Sequence, residues 1–133
     1  RYQAFQGDGV LKIAFDLDGI LCYGYPYTEA KPFDGAAELL VRLKKAGHHV
    51  TIFTARGMGR NKNDVGSAQG QLALLTLNQL RDWGFTYDAF LMGKPSYDLF
   101  IDDKAYGYSS IIDGRVVQVL SFDQVKIGLE SLL

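Results

Sequence analysis

The chain has 133 residues, of which 47% are hydrophobic and 22% are charged, and its formal net charge is −1 at pH 7. This length and composition are typical of one globular domain, and the charge balance does not favour nucleic acid or an anionic membrane as the main partner. The single cysteine, Cys22, excludes an internal disulfide and favours a reducing, cytoplasmic compartment. No apolar run reaches the roughly 20 residues that a membrane-spanning helix needs.

Residues 1–9 end in Gly-Asp-Gly, and we expect them to be a linker or vector remnant before a domain over residues 10–133. Residues 11–16 are the first predicted strand, because their continuous apolar run is typical of a parallel strand covered on both faces. Residues 20–33 follow as an irregular segment rich in tyrosine. We favour a loop packed by its own aromatic rings there, with substrate contact as the alternative.

The next two elements are a helix and a strand. Asp34 is the predicted N-cap of a helix over residues 35–46, in which leucines recur at helical spacing. Residues 49–54 are the second predicted strand. His48 and His49 lie at the start of this strand, about a strand length from the site proposed below, so we expect structural roles for both.

Residues 55–70 form the longest predicted loop, and this loop contains the cations Arg56, Arg60 and Lys62. Loops of this length in compact domains are commonly functional or mobile. We therefore expect the loop, and Arg56 above all, to recognise the part of a substrate that leaves in the reaction. A helix over residues 71–83 follows it.

The rest of the chain returns to strands. Residues 87–91 and 98–101 are predicted strands, and residues 110–120 hold two β-branched runs that indicate a hairpin or an edge strand. Ser121 and Gln124 form a predicted capping box for the last helix. Strands that alternate with helices predict an α/β protein with a mostly parallel sheet.

Polar residues lie where the predicted strands end. Asp16 ends the first strand, Thr54 ends the second, and Asp102 and Asp103 follow the fourth, which Lys94 precedes in a turn. Ligands of parallel sheets bind beyond the carboxyl ends of the strands. We therefore expect these residues to collect at one edge of the sheet.

The chemistry of these residues points to phosphate. Asp16 and Asp18 are two positions apart, so their side chains start on the same face of an extended strand. Clustered carboxylates repel each other without a cation, and oxygen ligands without Cys or His favour Mg²⁺. A lysine and a threonine nearby would hold phosphate oxygens, and a carboxylate can attack phosphorus to give an aspartyl phosphate.

The set Asp16-Leu17-Asp18-Gly19, Thr54, Lys94 and Asp102-Asp103 resembles the four motifs of the haloacid dehalogenase (HAD) superfamily, in the right order over residues 11–105. The resemblance implies a Rossmann-like three-layer α/β/α sandwich with a mostly parallel sheet. The short connections after the first and second motifs imply a member without a cap domain. More locally, the chain is similar to small capless phosphatases of capsule polysaccharide or sugar-nucleotide biosynthesis in the stretches FDLDGILC, GHHVTIFTARG and YDAFLMGKPSYDLFIDDKA.

The resemblance also implies catalytic and metal roles. Asp16 would be the nucleophile, and Asp18 would be the general acid for the leaving alcohol and then the base for water. Mg²⁺ would be held by Asp16, by the main-chain carbonyl of Asp18 and by Asp102, with Asp103 acting directly, through water or by holding the lysine. The motif departs from the family pattern at Ile20, where phosphatases of the superfamily usually have threonine.

The same resemblance places the phosphoryl group against Thr54, Ala55 and Lys94. Arg56 and Arg60 are our predicted contacts to the leaving group. The chain is thus predicted to be a Mg²⁺-dependent phosphatase that acts on a small phosphorylated metabolite, for which the resemblance implies a sugar phosphate.

Two alternatives stay open at this point. An open site and a basic loop would also suit a nucleic-acid end phosphatase, although the sequence pI of about 6.1 argues against it. A non-catalytic domain that binds a phosphorylated ligand, or a partner module of a larger polypeptide, is the other. We expect no membrane partner, and homo-oligomerisation is left open.

Overall fold

The computed structural model describes residues 9–133, so the linker predicted at residues 1–9 lies almost wholly outside the described residues. The described part is an α/β protein with a three-stranded parallel sheet, two short antiparallel strand pairs and three α-helices. A search of its helices finds none that is long and apolar enough to cross a membrane. The elements in chain order are β1 (Lys12–Asp16), β2 (Cys22–Tyr23), β3 (Lys31–Pro32), α1 (Ala36–Lys45), β4 (His49–Thr54), α2 (Val65–Asp82), β5 (Ala89–Met92), β6 (Ser109–Ile112), β7 (Arg115–Gln118) and α3 (Phe122–Gly128).

The parallel sheet has the strand order β1-β4-β5. Asp16, the last residue of β1, is in register with Phe53, and Thr54, the last residue of β4, is in register with Met92. The three strands therefore end together at one edge, as expected for a parallel sheet. The prediction of an α/β protein is confirmed, together with the first two strands.

The core lies mainly on one face of this sheet. Val50 and Ile52 are fully buried, whereas Thr51 between them is half-buried on the opposite face. This alternation is typical of a sheet with one face fully covered. The prediction that β1 is covered on both faces is wrong, because Ala14 is exposed while Phe15 is buried.

The loop predicted at 55–70 is shorter than expected, because α2 begins at Val65. Asp64 caps this helix, with its Oδ1 accepting a hydrogen bond from the Gly66 amide at 3.1 Å. Glycine disfavours helix interiors, which is why the sequence here is typical of a loop. The cap of α1 also differs from the prediction, since Gly35 with a φ of 87° holds the N-cap position in place of the preceding aspartate.

The fourth strand predicted at residues 98–101 is wrong, since the structure gives these residues no strand. Phe100 is 45% exposed and Ile101 is 95% exposed. An apolar run becomes a strand only where a neighbour pairs with it and covers it. Within residues 9–133, β1 pairs with β4 alone in the sheet, and its other edge receives no strand. The third strand is confirmed with a small shift, as β5.

The C-terminal part follows the prediction. Strands β6 and β7 form an antiparallel hairpin, and Asp113 and Gly114 at its turn have φ values of 51° and 74°. Two positive φ values are typical of the turn type whose twist suits a two-residue hairpin loop. The capping box of Ser121 and Gln124 is present at the start of α3.

His48 has the structural role that was expected. Its ring is buried, its Nδ1 accepts a hydrogen bond from the Leu11 amide at 3.0 Å, and its Nε2 lies 2.7 Å from the carbonyl oxygen of Leu132. Since Nδ1 accepts a hydrogen bond, the neutral ring carries its proton on Nε2, which donates a hydrogen bond to the Leu132 carbonyl oxygen. The ring thus ties the entry to β1 to the C-terminal turn Glu130–Leu132.

Candidate functional site

Two main-chain hydrogen bonds bring Lys94 to the edge of the sheet. The amides of Gly93 and Lys94 both donate to the Thr54 carbonyl oxygen, at 3.2 and 3.1 Å. This arrangement fixes the turn after β5 to the end of β4. The Lys94 Nζ atom then lies 3.3 Å from Oδ1 of Asp16. Asp16 and Lys94, which are far apart in sequence, are therefore close in space, as predicted from their positions near strand ends.

A cavity of about 350 Å³ opens at this edge. Its volume is within the range of small-molecule sites. It is bordered by the loops that follow β1, β4 and β5, as expected for the carboxyl ends of parallel strands. The predicted site residues that line it are Asp16, Asp18, Ala55, Arg56, Arg60 and Lys94.

The Lys94 ammonium only partly offsets the cost of burying a negative charge on Asp16. Burial raises its pKa above the ordinary value, the Lys94 ammonium opposes this rise by charge and hydrogen bonding, and the nearby Asp18 charge adds to it. A raised carboxyl pKa means that the ionised form is disfavoured. A further cation beside Asp16 would therefore stabilise the carboxylate.

Asp18 has a cation of its own, Arg56. The Arg56 Nε donates to Oδ2 of Asp18 at 2.9 Å, and its Nη2 donates to Oδ1 at 3.0 Å. Such paired, charge-assisted hydrogen bonds fix the orientation of both groups. The Arg56 side chain has no exposed surface, whereas the Asp18 side chain is 32% exposed. Asp18 therefore faces the cavity with a buried cation behind it.

The remaining donors of Arg56 point into the protein. Its Nη1 donates to the Thr76 hydroxyl at 3.2 Å and also to the Gln79 side-chain oxygen. Its guanidinium carbon lies 4.7 Å from the centre of the Tyr27 ring. The structure thus brings Arg56 to the site but assigns its guanidinium to Asp18 and α2. This differs from the predicted direct contact with the leaving group.

Cys22 completes the surroundings of Asp18. Its buried Sγ lies 3.3 Å from Oδ1 of Asp18. Burial, followed by the Asp18 charge, raises the pKa of this thiol to about 12. The thiol therefore stays protonated at neutral pH and donates to the carboxylate, so Cys22 has the character of a buried structural cysteine.

Thr54 and Ala55, both predicted to bind phosphate, are placed differently. Thr54 is fully buried, and its hydroxyl oxygen accepts a hydrogen bond from the Arg56 amide at 3.1 Å. Ala55 follows it and lines the cavity. The buried threonine hydroxyl therefore stabilises the start of the loop after β4 from the protein interior, whereas Ala55 borders the cavity.

The basic residues of the loop after β4 separate into two groups. Arg60 is exposed and lines the cavity, which agrees with its predicted role as a substrate contact. Lys62 is exposed at a turn with a φ of 53° and does not border the cavity. Within residues 9–133, Arg60 forms no ion pair. It is therefore available to an anionic or polar ligand.

Asp102 and Asp103 are not brought to the cavity, because the predicted strand before them is absent. Both are exposed, and Oδ1 of Asp102 accepts a hydrogen bond from the Lys104 amide at 2.9 Å. In the part of the chain that the structure describes, no group of three or more metal-ligating side chains is present. Asp16 and Asp18 are the carboxylates at the site.

The turn that carries Ile20 is ordered. The amides of Ile20 and Leu21 donate to the Leu17 carbonyl oxygen at 3.3 and 2.9 Å, and the Gly19 amide donates to the Cys22 carbonyl oxygen at 2.7 Å. The Ile20 side chain packs against the main core. Main-chain bonds and apolar contact thus supply the local order at the position where the family pattern has threonine.

Several residues of the cavity wall were missed in the sequence. The loops supply aromatic rings and two small residues, namely Tyr25, Tyr27, Tyr97, Phe100, Gly57 and Gly59. The dense tyrosines of the 20–33 segment were the available signal, and their mutual packing was predicted. The Tyr25 and Tyr27 rings do pack edge to face, with centres 5.2 Å apart.

No protein-family model and no curated protein matches this sequence. Among solved structures, the chain is similar to the crystal structure of an MCSG target from Vibrio cholerae, with a TM-score of 0.69 and 24% sequence identity. The match covers 91% of this chain and 94% of that chain. A likeness at this level of identity shows a shared α/β fold and carries no activity with it.

Proposed function

We propose that this protein is a Mg²⁺-dependent phosphatase of the HAD type that hydrolyses the phosphate monoester of a small metabolite, with a sugar phosphate as first choice. The observation that carries the proposal is the arrangement of two carboxylates at one sheet edge, each with its own cation. Asp16 is paired with Lys94, and Asp18 is paired with Arg56. Carboxylates in different environments are suited to different roles in one reaction.

In the proposed reaction, Asp16 Oδ attacks phosphorus and the bond from phosphorus to the leaving oxygen breaks. Lys94 offsets the negative charge that gathers around this centre. Asp18 gives a proton to the leaving oxygen and then takes one from the water that hydrolyses the aspartyl phosphate. Each Asp18 oxygen accepts one hydrogen bond from Arg56, so the transferred proton would occupy the second lone pair of one of these oxygens.

The donors at the site fit Mg²⁺. This ion commonly takes one or two carboxylates, keeps several waters and binds a substrate phosphate. The Asp16 carboxylate and the main-chain carbonyl of Asp18 would hold it, and it would stabilise the charge on the phosphoryl oxygens. The raised pKa of Asp16 supports this assignment, because burial leaves its negative charge in need of a cation.

We also propose the finer HAD description, a three-layer sandwich without a cap. It is supported by the parallel order β1-β4-β5 and by the short connection between β1 and α1. The lone buried thiol agrees with a cytoplasmic location.

The Asp102→Asn variant tests the metal role that the HAD resemblance implies for Asp102, which lies outside the cavity wall in the structure. We expect it to raise the Mg²⁺ concentration for half-maximal activity by about tenfold or more, as loss of a metal-supporting carboxylate does. Asp98→Asn, a change at another exposed aspartate of the same segment, is expected to have no effect. Metal titrations of the phosphatase rate would measure both. An unchanged titration for Asp102→Asn would remove Asp102 from the metal site.

The proposed function is tested by phosphate release. The wild-type chain is incubated with sugar phosphates, glycerol 3-phosphate, a nucleoside monophosphate and a 5′-phosphorylated oligonucleotide, with Mg²⁺ or with EDTA. We expect release from one or more small monoesters, with loss of activity in EDTA and recovery on adding Mg²⁺. Preference for the oligonucleotide would favour the end-phosphatase alternative, and phosphate binding without release would favour a non-catalytic domain.

A further inference from the structure

Two exposed tyrosines from different loops border the cavity. Tyr25 is 74% exposed and follows β2, whereas Tyr97 is 66% exposed and follows β5. Large aromatic rings are more often buried, because their burial contributes strongly to stability. These two rings do not pack in the hydrophobic core, and their exposure at a concave site indicates contact with a ligand.

The Tyr25 ring is supported on one side despite its exposure. It packs edge to face on Tyr27, with the ring centres 5.2 Å apart and the planes at 79°. Tyr27 in turn lies against the guanidinium of Arg56 at 4.7 Å, and its carbonyl oxygen accepts a hydrogen bond from the Gln79 side chain. A ring that is already packed on one side loses less conformational entropy than a free side chain when a ligand stacks on it.

We infer that the cavity binds a phosphate ester whose leaving group is a ring with an apolar face, and that Tyr25 and Tyr97 are the stacking surfaces for this ring. The inference rests on the proposed function, since it places the phosphoryl group at Asp16. Arg60 borders the same cavity and is suited to the polar substituents of the ring. A pyranose and a nucleobase share this chemistry, and the cavity of about 350 Å³ suits a ligand of either size.

Affinity is measured by calorimetry on the Asp16→Asn variant in Mg²⁺, so that ring preference is separated from turnover. The probes are glucose 6-phosphate, adenosine monophosphate and the acyclic glycerol 3-phosphate. We expect at least one cyclic probe to bind about tenfold or more tightly than the acyclic probe, since only a ring can stack on the aromatic side chains. The cyclic probe that binds more tightly identifies the class of ring.

Further substitutions in that background locate the stacking surfaces. Tyr25→Ala and Tyr97→Ala are each expected to weaken binding of the preferred cyclic probe by about fivefold or more, with little change for glycerol 3-phosphate. Tyr25→Phe should retain the affinity, because the ring face is kept. Tyr106→Ala, at another exposed tyrosine that lies outside the cavity wall, should also leave it unchanged.

Equal affinity for cyclic and acyclic probes, binding of neither, or an equal loss for both in the alanine variants would overturn the inference. Failure of the proposed function is a separate result, namely absence of phosphate release by the wild-type chain while ring preference in binding persists.

Discussion

Replacement of Asp16 by asparagine is expected to lower kcat for phosphate release by about 10⁴-fold or more, because an amide cannot form the aspartyl phosphate. The rate is measured on the substrate that the wild-type chain hydrolyses fastest. Trapping of beryllofluoride, which mimics a phosphorylated aspartate, should be lost at the same time. Residual activity within tenfold of wild type would remove Asp16 as the nucleophile.

The same variant is expected to be more heat-stable than wild type when metal is absent. Burial raises the pKa of Asp16 in the folded protein, despite the opposing effect of Lys94. A carboxyl with a raised folded pKa stabilises the fold below its unfolded pKa, and this contribution is lost as the pH rises through the folded pKa. At neutral pH the ionised Asp16 therefore lowers stability, and asparagine avoids that cost.

Thermal unfolding in EDTA measures this effect. Asp16→Asn should have a higher Tm than wild type at pH 7, and the difference should shrink as the pH is lowered toward the ordinary aspartate pKa. Asp98→Asn serves as the control, because Asp98 is exposed and outside the cavity wall. A lower Tm for Asp16→Asn at pH 7 would show that the ion pair with Lys94 outweighs the effect of burial.

Replacement of Arg56 by alanine is expected to lower the free energy of unfolding by about 3 kcal/mol, which is typical when one partner of a buried ion pair is removed. The change also leaves Thr76 and Gln79 without their shared donor. The Asp18 side chain is 32% exposed and can be rehydrated, which keeps the loss at the lower end of the range. Urea titration measures it.

The kinetics of an Arg56→Lys variant distinguish two roles for this arginine, namely orienting Asp18 and contacting the leaving group. Lysine keeps the charge but cannot make the paired contact to both Asp18 oxygens. We expect kcat to fall by about tenfold or more with little change in KM, since the guanidinium orients Asp18 and does not face the leaving group. The pH profile of kcat should change as well, because Asp18 carries the proton.

Arg60→Ala is the matched control for this loop. Arg60 is exposed at the cavity, so its loss should raise KM and leave the free energy of unfolding unchanged. If Arg56→Lys instead raised KM and spared kcat, the contact with the leaving group predicted from sequence would be correct for Arg56.

The sequence predicts the parts of the site that depend on where strands end. Asp16 and Thr54 end β1 and β4, and Lys94 follows β5 closely, so a parallel sheet alone brings them to one edge. The partner of Arg56 could not be predicted, because a guanidinium is long enough to reach either the cavity or the interior. The direction of the Arg56 side chain depends on its hydrogen bonds to Thr76 and Gln79, which lie in α2, about 20 residues later in the sequence.

The predicted fourth strand is an error of another kind, because it assigns a strand to a segment that forms none. The local pattern of residues 98–101 is typical of a strand, but pairing is a property of two segments, and the structure gives this segment no partner. Asp102 and Asp103 depend on the same pairing for their position. The start of α2 was missed because the cap at Asp64 outweighs the weak helix propensity of the glycine that follows it.

Because the Thr54 carbonyl oxygen accepts from two successive amides, the turn that positions Lys94 is held by main-chain atoms that every amino acid except proline carries. Substitutions of the side chains around this turn are therefore expected to leave the lysine in place. The exception is Gly93, whose φ is 104° and whose added Cβ would approach Val65 to 3.0 Å. The position of the Lys94 ammonium therefore depends on the course of the main chain more than on the identity of the neighbouring side chains.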